Sequence, residues 1–433
     1  MNIPFTEHSL DNGLRVIIHE DRRLPVVAVN LWFHVGSKDE QPGRTGFAHL
    51  FEHLMFEGSQ HYDKGYFHPL QEAGALLNGS TNTDRTNYWE VVPTSAFDLA
   101  LWMESDRMGY LLPALTERKF ETQRDVVLNE RRQNYENRPY GLAQAAIGAA
   151  IFPPSHPYHW MTIGEVADLK AAAFDDVREF FRTYYHPANA SLVVAGDIDT
   201  ADALARVHAH FDEIPPGQVP ARVRPFAAAP TERRLMLEDR VELPRLYLAW
   251  LSPAMFAEGD AAMDLLADLM GNGKSSRLYR TLVYERRIAS ELMAVQGSRE
   301  IASIWQIIAT AAPGHSLDEL QAAIDDELAR LVAEGPTADE MERSHAQVEA
   351  QFVYRLQTLG GFGGKADQLN AYSVFCGDPG YFEKDLARFQ VVTALDLQRA
   401  AASLRTDNRV LLSVVPKGKP SLALPHSTPA PVS

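Results

Sequence analysis

Cysteine is almost absent: Cys376 stands alone among 433 residues. A lone thiol excludes an internal disulfide framework and any metal site built on a CxxC pair. A metal held by this chain must therefore rest on histidine and carboxylate. Basic charge is also scarce. The 41 Lys and Arg against 57 Asp and Glu leave a net charge of −16, which argues against nucleic acid, whose phosphates select a basic face. An acidic field attracts basic peptides, though in most proteins such charge only maintains solubility. No uncharged apolar run reaches the roughly 18 residues of a membrane span, so no membrane partner is expected. The opening MNIPFTEHSLDNGLRV shows no basic segment leading into an apolar one. A cytoplasmic location is the expectation, or a periplasmic one where a leader has been removed.

A chain of this length is too long for one core and should divide into two or more domains. Asn12-Gly13 signals a tight turn before a strand at Leu14–His19. Pro25–Val35, rich in β-branched and aromatic residues, predicts a long strand, and Gly74–Val92 a strand pair. Ser95–Leu111 and Glu117–Asn134 read as helices, and Ser191–Ile198 as a short buried strand. Local strand pairing mixed with helices makes the fold class α+β, a mixed and largely antiparallel sheet packed with helices. Residues 214–230 hold five prolines without an apolar period and predict a linker. The last residues, 417–433, are rich in Pro and Ser and are expected to be a disordered tail.

Between linker and tail the pattern repeats. Arg245–Met255 echoes the strand from Val27 to Gly36, Thr337–Gln351 lies over Thr116–Glu130 without a gap, and Arg409–Val415 matches the closing strand. Two homologous halves follow, residues 1–213 and 231–416.

Phe47–Gly58 (FAHLFEHLMFEG) carries the chemistry. At roughly 100° per residue, Phe47, Leu50, Phe51, Leu54 and Met55 form one apolar stripe. His49, Glu52 and His53 share the opposite face. Imidazoles one turn apart can grip a single cation, and the carboxylate between them can reach a water on it. The order H-x-x-E-H inverts the zinc-peptidase helix H-E-x-x-H. An ordinary solvated helix face is the competing reading, and the repeat serves as a control on it. Over the second half, His49, Glu52 and His53 fall on Asp264, Ala267 and Asp268, while Leu50, Leu54 and Met55 meet Leu265, Leu269 and Met270. The packing face is kept and the chemical face is not, which assigns the chemistry to the first half.

Catalytic zinc wants a third protein ligand and an open position. With H-x-x-E-H, VVLNERRQNYENRPYG, LNGSTNTDRTNYWEVVP, HPYHWMTIG and SSRLY in place, the chain resembles the pitrilysin/insulinase family of zinc peptidases, in a bacterial branch similar to the mitochondrial processing peptidase. The resemblance covers nearly the whole chain. In that family a ligating Glu follows the motif after 76 residues, which here is Glu130. The resemblance implies one zinc per chain on His49, His53 and Glu130, with Glu52 as general base. It also implies an endopeptidase acting on short or unfolded peptides, which add as an edge strand along Leu77, Asn78, Gly79 and Ser80.

Two departures stand out. Many family members carry a further Glu seven residues before the ligand; here it is Gln123, which can hydrogen-bond a ligand histidine but adds no charge. The Arg and Tyr that hold the substrate backbone in the family's second half are replaced by Val283 and Ser290, with Arg286 and Arg287 out of register. A homologous Arg/Tyr-bearing subunit is therefore expected to complete the site in a heterodimer. The alternative is a non-catalytic core subunit of a larger complex with the same fold. Other signals are weaker. Gly273-Lys274-Ser275 has the tail of a phosphate loop, but Asp268 occupies the first Gly position and a helix precedes it. His156, His159 and Tyr372 are expected to be structural, and Gly360–Gly364 to be a loop.

Overall fold

The β-branched runs become the inner strands of two sheets. The computed structural model describes residues 2–222 and 230–432. Their contacts divide into one unit of residues 1–129, 160–223 and 351–384, and another of residues 130–159, 224–350 and 385–433. The division passes through a continuous helix, Glu117–Arg131, close to its end. Among the described residues, no helix is long and apolar enough to cross a membrane.

The first unit holds β1 (Thr6–Ser9), β2 (Arg15–Glu20), β3 (Val26–Phe33), β4 (Leu76–Thr81), β5 (Thr86–Pro93) and β6 (Ala190–Gly196). They form a six-stranded sheet in the order β1-β2-β6-β3-β5-β4. Only β2 and β6 run parallel; the other pairs are antiparallel. Central β3 and β6 are buried almost end to end, as their unbroken apolar sequences require of strands covered on both faces. Helix Lys365–Cys376, from late in the chain, lies on this sheet. Its Asn370 takes the Ser191 hydroxyl at 2.6 Å and donates to the Asn30 carbonyl at 2.8 Å, so these buried polar groups satisfy one another.

The second unit holds β7 (Arg233–Asp239), β8 (Arg245–Ser252), β9 (Ala289–Gly297), β10 (Ser303–Ala311), β11 (Arg409–Pro416) and β12 (Thr428–Pro429), in the order β12-β7-β11-β8-β10-β9. Parallel β7 and β11, with β8, β10 and β9 antiparallel beyond them, repeat the first sheet's pairing. The two-half α+β architecture is the one the sequence predicts. What the sequence reading did not foresee is the exchange of helices. Helix Ala143–Ile151 belongs to the second unit, where Ala146, Ile147 and Ala150 pack against Ala249, Val410 and Leu412. Its small side chains allow a close approach to the sheet.

The tail corrects another expectation. Residues 417–433 are not a disordered tail as far as they are described: Leu424 is buried, its N–H donates to Ser413 Oγ at 3.1 Å, and Thr428–Pro429 pair in parallel with β7. Its prolines fit because an edge strand does not need every N–H. Of the expected linker, residues 223–229 lie outside the described residues. The stretch before them is strapped to the first unit, with Asn12 Nδ2 donating to the Ile214 carbonyl and Arg222 to Asp39 and Asn189.

Candidate metal centre

The motif helix, Phe47–Leu54, begins at Gly46, whose φ is +90°. A Cβ there would come within 2.9 Å of Leu169 Cδ2 and 3.0 Å of Gly164 Cα, so only glycine turns the chain here. No capping side chain is at hand, and Glu40 takes the part. Its carboxylate accepts from Gly46 N at 3.0 Å, Ala48 N at 2.8 Å and Trp160 Nε1 at 3.1 Å. Burial pushes this carboxyl up to about 8, against the pull of the three donors. Sequence reasoning missed Glu40 because its main partners are backbone N–H groups six and eight residues onward, a spacing no cap motif describes.

Phe47, Leu50, Phe51 and Leu54 are buried, and Phe51 meets the rings of Phe180, Phe181 and Tyr185 at 5.6, 5.8 and 5.1 Å between centroids. Packing that stripe leaves His49, Glu52 and His53 half-buried on the other side. The two imidazoles meet edge-on, with centroids 4.9 Å apart at 75°. One ligand atom from each, and one carboxylate oxygen of Glu130, lie within 4.8 Å of one another. Glu130 reaches them from the last turn of helix Glu117–Arg131, before the chain widens into a π turn at Arg132–Glu136.

This donor set suits zinc: two imidazoles and a carboxylate, the pattern that leaves a fourth position open. Burial, and then neighbouring His53, pushes His49 down to about 4, so its imidazole is neutral, the form that binds a cation. Gln123 stands on the same helix as Glu130, with Oε1 3.2 Å from His53 Nδ1. Around Glu52 lie groups that feel its charge. Burial raises Tyr88 and Tyr185 and lowers Arg85; the Glu52 charge adds to the rise of the phenols and opposes the fall of the guanidinium.

Leu77, Asn78, Gly79 and Ser80 all fall on β4, the edge of the first sheet, where β5 is the neighbouring strand. Gly79 faces Phe56, just past the motif helix; a Cβ at Gly79 would stand 3.1 Å from that ring. Ser80 donates to Asn87 Oδ1 on β5 at 2.6 Å and receives Arg85 of the intervening turn at 2.6 Å. Val283 lies in a π turn and Ser290 on β9, both in the second unit. His156 and His159 are held by structural bonds, His156 Nδ1 receiving the Tyr158 N–H at 3.0 Å and His159 Nδ1 lying 2.8 Å from the Phe152 carbonyl. Tyr372 is core, and Phe362 of the Gly360–Gly364 loop rests edge-on against Trp89.

Residues 15–153 match the profile of the insulinase family, peptidase family M16, and residues 172–348 match the profile described as the peptidase M16 inactive domain. The second match covers a region without the motif. Zinc protease PqqE of Helicobacter pylori is 29% identical over 356 residues, covering 81% of this chain and 80% of that protein. A probable mitochondrial-processing peptidase subunit beta of Arabidopsis thaliana is 22% identical over 94% of this chain and 77% of its own length. The crystal structure of a protease from Helicobacter pylori superposes with a TM-score of 0.88 at 26% identity, covering 96% of this chain and all of that one. With the same fold, and with both halves matched in order, the chain belongs to the pitrilysin/insulinase (M16) family, whose relatives here include proteins named zinc proteases.

Proposed function

We propose that this chain is the metal-bearing subunit of a zinc endopeptidase that hydrolyses short or unfolded peptides. The observation that carries the reading is the approach of His49, His53 and Glu130 ligand atoms to within 4.8 Å, with Glu52 on the same helical turn as the histidines. These three residues hold one zinc. When bound, zinc supplies the Lewis acidity that activates a water and polarises the scissile carbonyl. Glu52 takes the proton from the attacking water and delivers it to the leaving amine, which departs neutral. Gln123 orients His53. The edge strand β4, at Leu77, Asn78, Gly79 and Ser80, aligns the peptide by backbone pairing, which gives affinity without strict sequence choice.

Val283 and Ser290 cannot donate to a substrate backbone as Arg and Tyr would, so a homologous subunit supplies an Arg/Tyr pair. The Arabidopsis relative, itself named a beta subunit, is in keeping with such a division. A quenched unfolded peptide tests the reading. Cleavage should stop with a chelator, return with added zinc, and rise severalfold when the partner chain is mixed in. Cleavage indifferent to chelation overturns the zinc reading. Full activity of the isolated chain overturns the partner. A non-catalytic core subunit, the alternative reading, predicts no cleavage under any of these conditions.

A further inference from the structure

Glu57 has no part in the scheme above, yet it lies two hydrogen bonds away from a proposed ligand. It sits in the turn that follows the motif helix, its N–H donating to the Leu54 carbonyl at 3.1 Å. Its carboxylate receives the Nε2 amide of Gln123, whose other end, Oε1, lies 3.2 Å from His53 Nδ1. The three side chains form a line: carboxylate, amide, imidazole.

The order of that line is set by its outer end. An ionised carboxylate only accepts, so it must face the NH2 of Gln123 and not its carbonyl. The amide orientation is thereby fixed, with Oε1 turned toward His53. An accepting oxygen then requires a proton on His53 Nδ1, which leaves the Nε2 lone pair for a cation. Without an acceptor at position 57, Gln123 is free to turn over. Its NH2 then faces Nδ1 and favours the opposite tautomer, with the proton on the nitrogen that should bind the metal.

We propose that Glu57 is a positioning residue for the metal: through the Gln123 amide it fixes the tautomer of His53 and supplies, one group further out, the negative charge that Gln123 lacks. The inference rests on the zinc reading of the trio. Groups behind a ligating histidine commonly change metal affinity about 10–100-fold, and the interposed amide puts Glu57 at the lower end of that range.

The test measures the zinc dissociation constant of the apo-protein, by competition with a chromophoric chelator, for the wild type, Glu57→Gln and Glu57→Lys. Each is measured with Gln123 intact and again with Gln123→Glu. Glu57→Gln keeps an acceptor and loses only charge, so its loss should be the smaller. Glu57→Lys replaces the acceptor with a donor, turns the amide over, and should weaken zinc about tenfold or more. In the Gln123→Glu background there is no amide to turn, and Lys pairs with the new carboxylate, so that loss should vanish. Melting temperatures of the apo-proteins should stay close together, which a purely structural role for Glu57 would not allow.

Equal zinc affinity of the wild type and Glu57→Lys overturns the relay and leaves the zinc site standing. A loss that persists with Gln123→Glu also overturns it, since plain charge repulsion would then suffice. A wild type that binds no zinc overturns the metal reading and the relay together.

Discussion

His49 and His53 reach the same trio under different constraints. His49 is kept neutral by burial and by the neighbouring ring, while His53 has Gln123 against Nδ1. Neither carries the proton transfer in the proposed mechanism, which assigns it to Glu52. Glu52→Gln should therefore keep its zinc while kcat falls about 10²–10⁴-fold, the range for a lost general base. Paired metal analysis and peptide assays check this, and retained turnover rejects Glu52. The twin position in the second half shows what the same helix does without histidines. Asp260 is paired with Arg388 at 2.9 Å, and Asp264 is pushed up to about 8 by burial first, then by Asp260 and Asp268. Its folded-state pKa lies above the unfolded value near 3.8, so its favourable contribution is full below that value and fades as pH rises toward 8. Asp264→Asn should accordingly gain in melting temperature relative to wild type between pH 5 and pH 8. Parallel melting curves would contradict this. His49, Glu52 and His53 were legible in the sequence because three reactive residues fell on one face. Glu130 was legible only through the family's spacing. Glu40 and Glu57 were not, because their partners are a helix's N–H groups and a glutamine far along the chain.

The motif helix was the most readable element, with an apolar stripe and a chemical face at one period. Its start was not. Gly46 offers no cap, and the first N–H groups depend on a carboxylate from the preceding loop. Glu40→Ala strands the N–H groups of Gly46 and Ala48, each of which costs about 1–3 kcal/mol when buried without a partner, while the Trp160 indole keeps its bond to the Ser37 carbonyl. The urea midpoint should fall at unchanged slope by an amount equivalent to at least about 2 kcal/mol. A midpoint equal to wild type would remove Glu40 from the account of how the helix is held. Strands β2, β3, β5 and β6 were legible from their apolar runs. Helix Ala143–Ile151 was not singled out, because AQAAIGAAI is apolar around much of its circumference and gives no stripe to read.

Two sheets that share the order and pairing of five strands, one backed by the H-x-x-E-H helix and one by its blank twin, follow the duplication that the sequence carries. Local pattern cannot say which sheet a helix will cover, and Ala143–Ile151 and Lys365–Cys376 each lie on the sheet of the other sequence half. The tail was misread for a related reason: its composition resembles disorder, but Leu424 has a buried place waiting for it. Removing residues 419–433 should cost at least the burial of that leucine, about 1.5–3 kcal/mol, and lower the melting temperature by several degrees. An unchanged melt would mean that the β12 pairing contributes nothing. For the proposed activity, one comparison decides more than the others: zinc per chain and peptide cleavage, measured side by side for wild type, His49→Ala, Glu130→Ala and Glu52→Gln. The trio predicts about one zinc in the wild type and in Glu52→Gln, little in the two ligand variants, and cleavage in the wild type alone. Zinc retained in full by both His49→Ala and Glu130→Ala, or cleavage surviving in either, would contradict it.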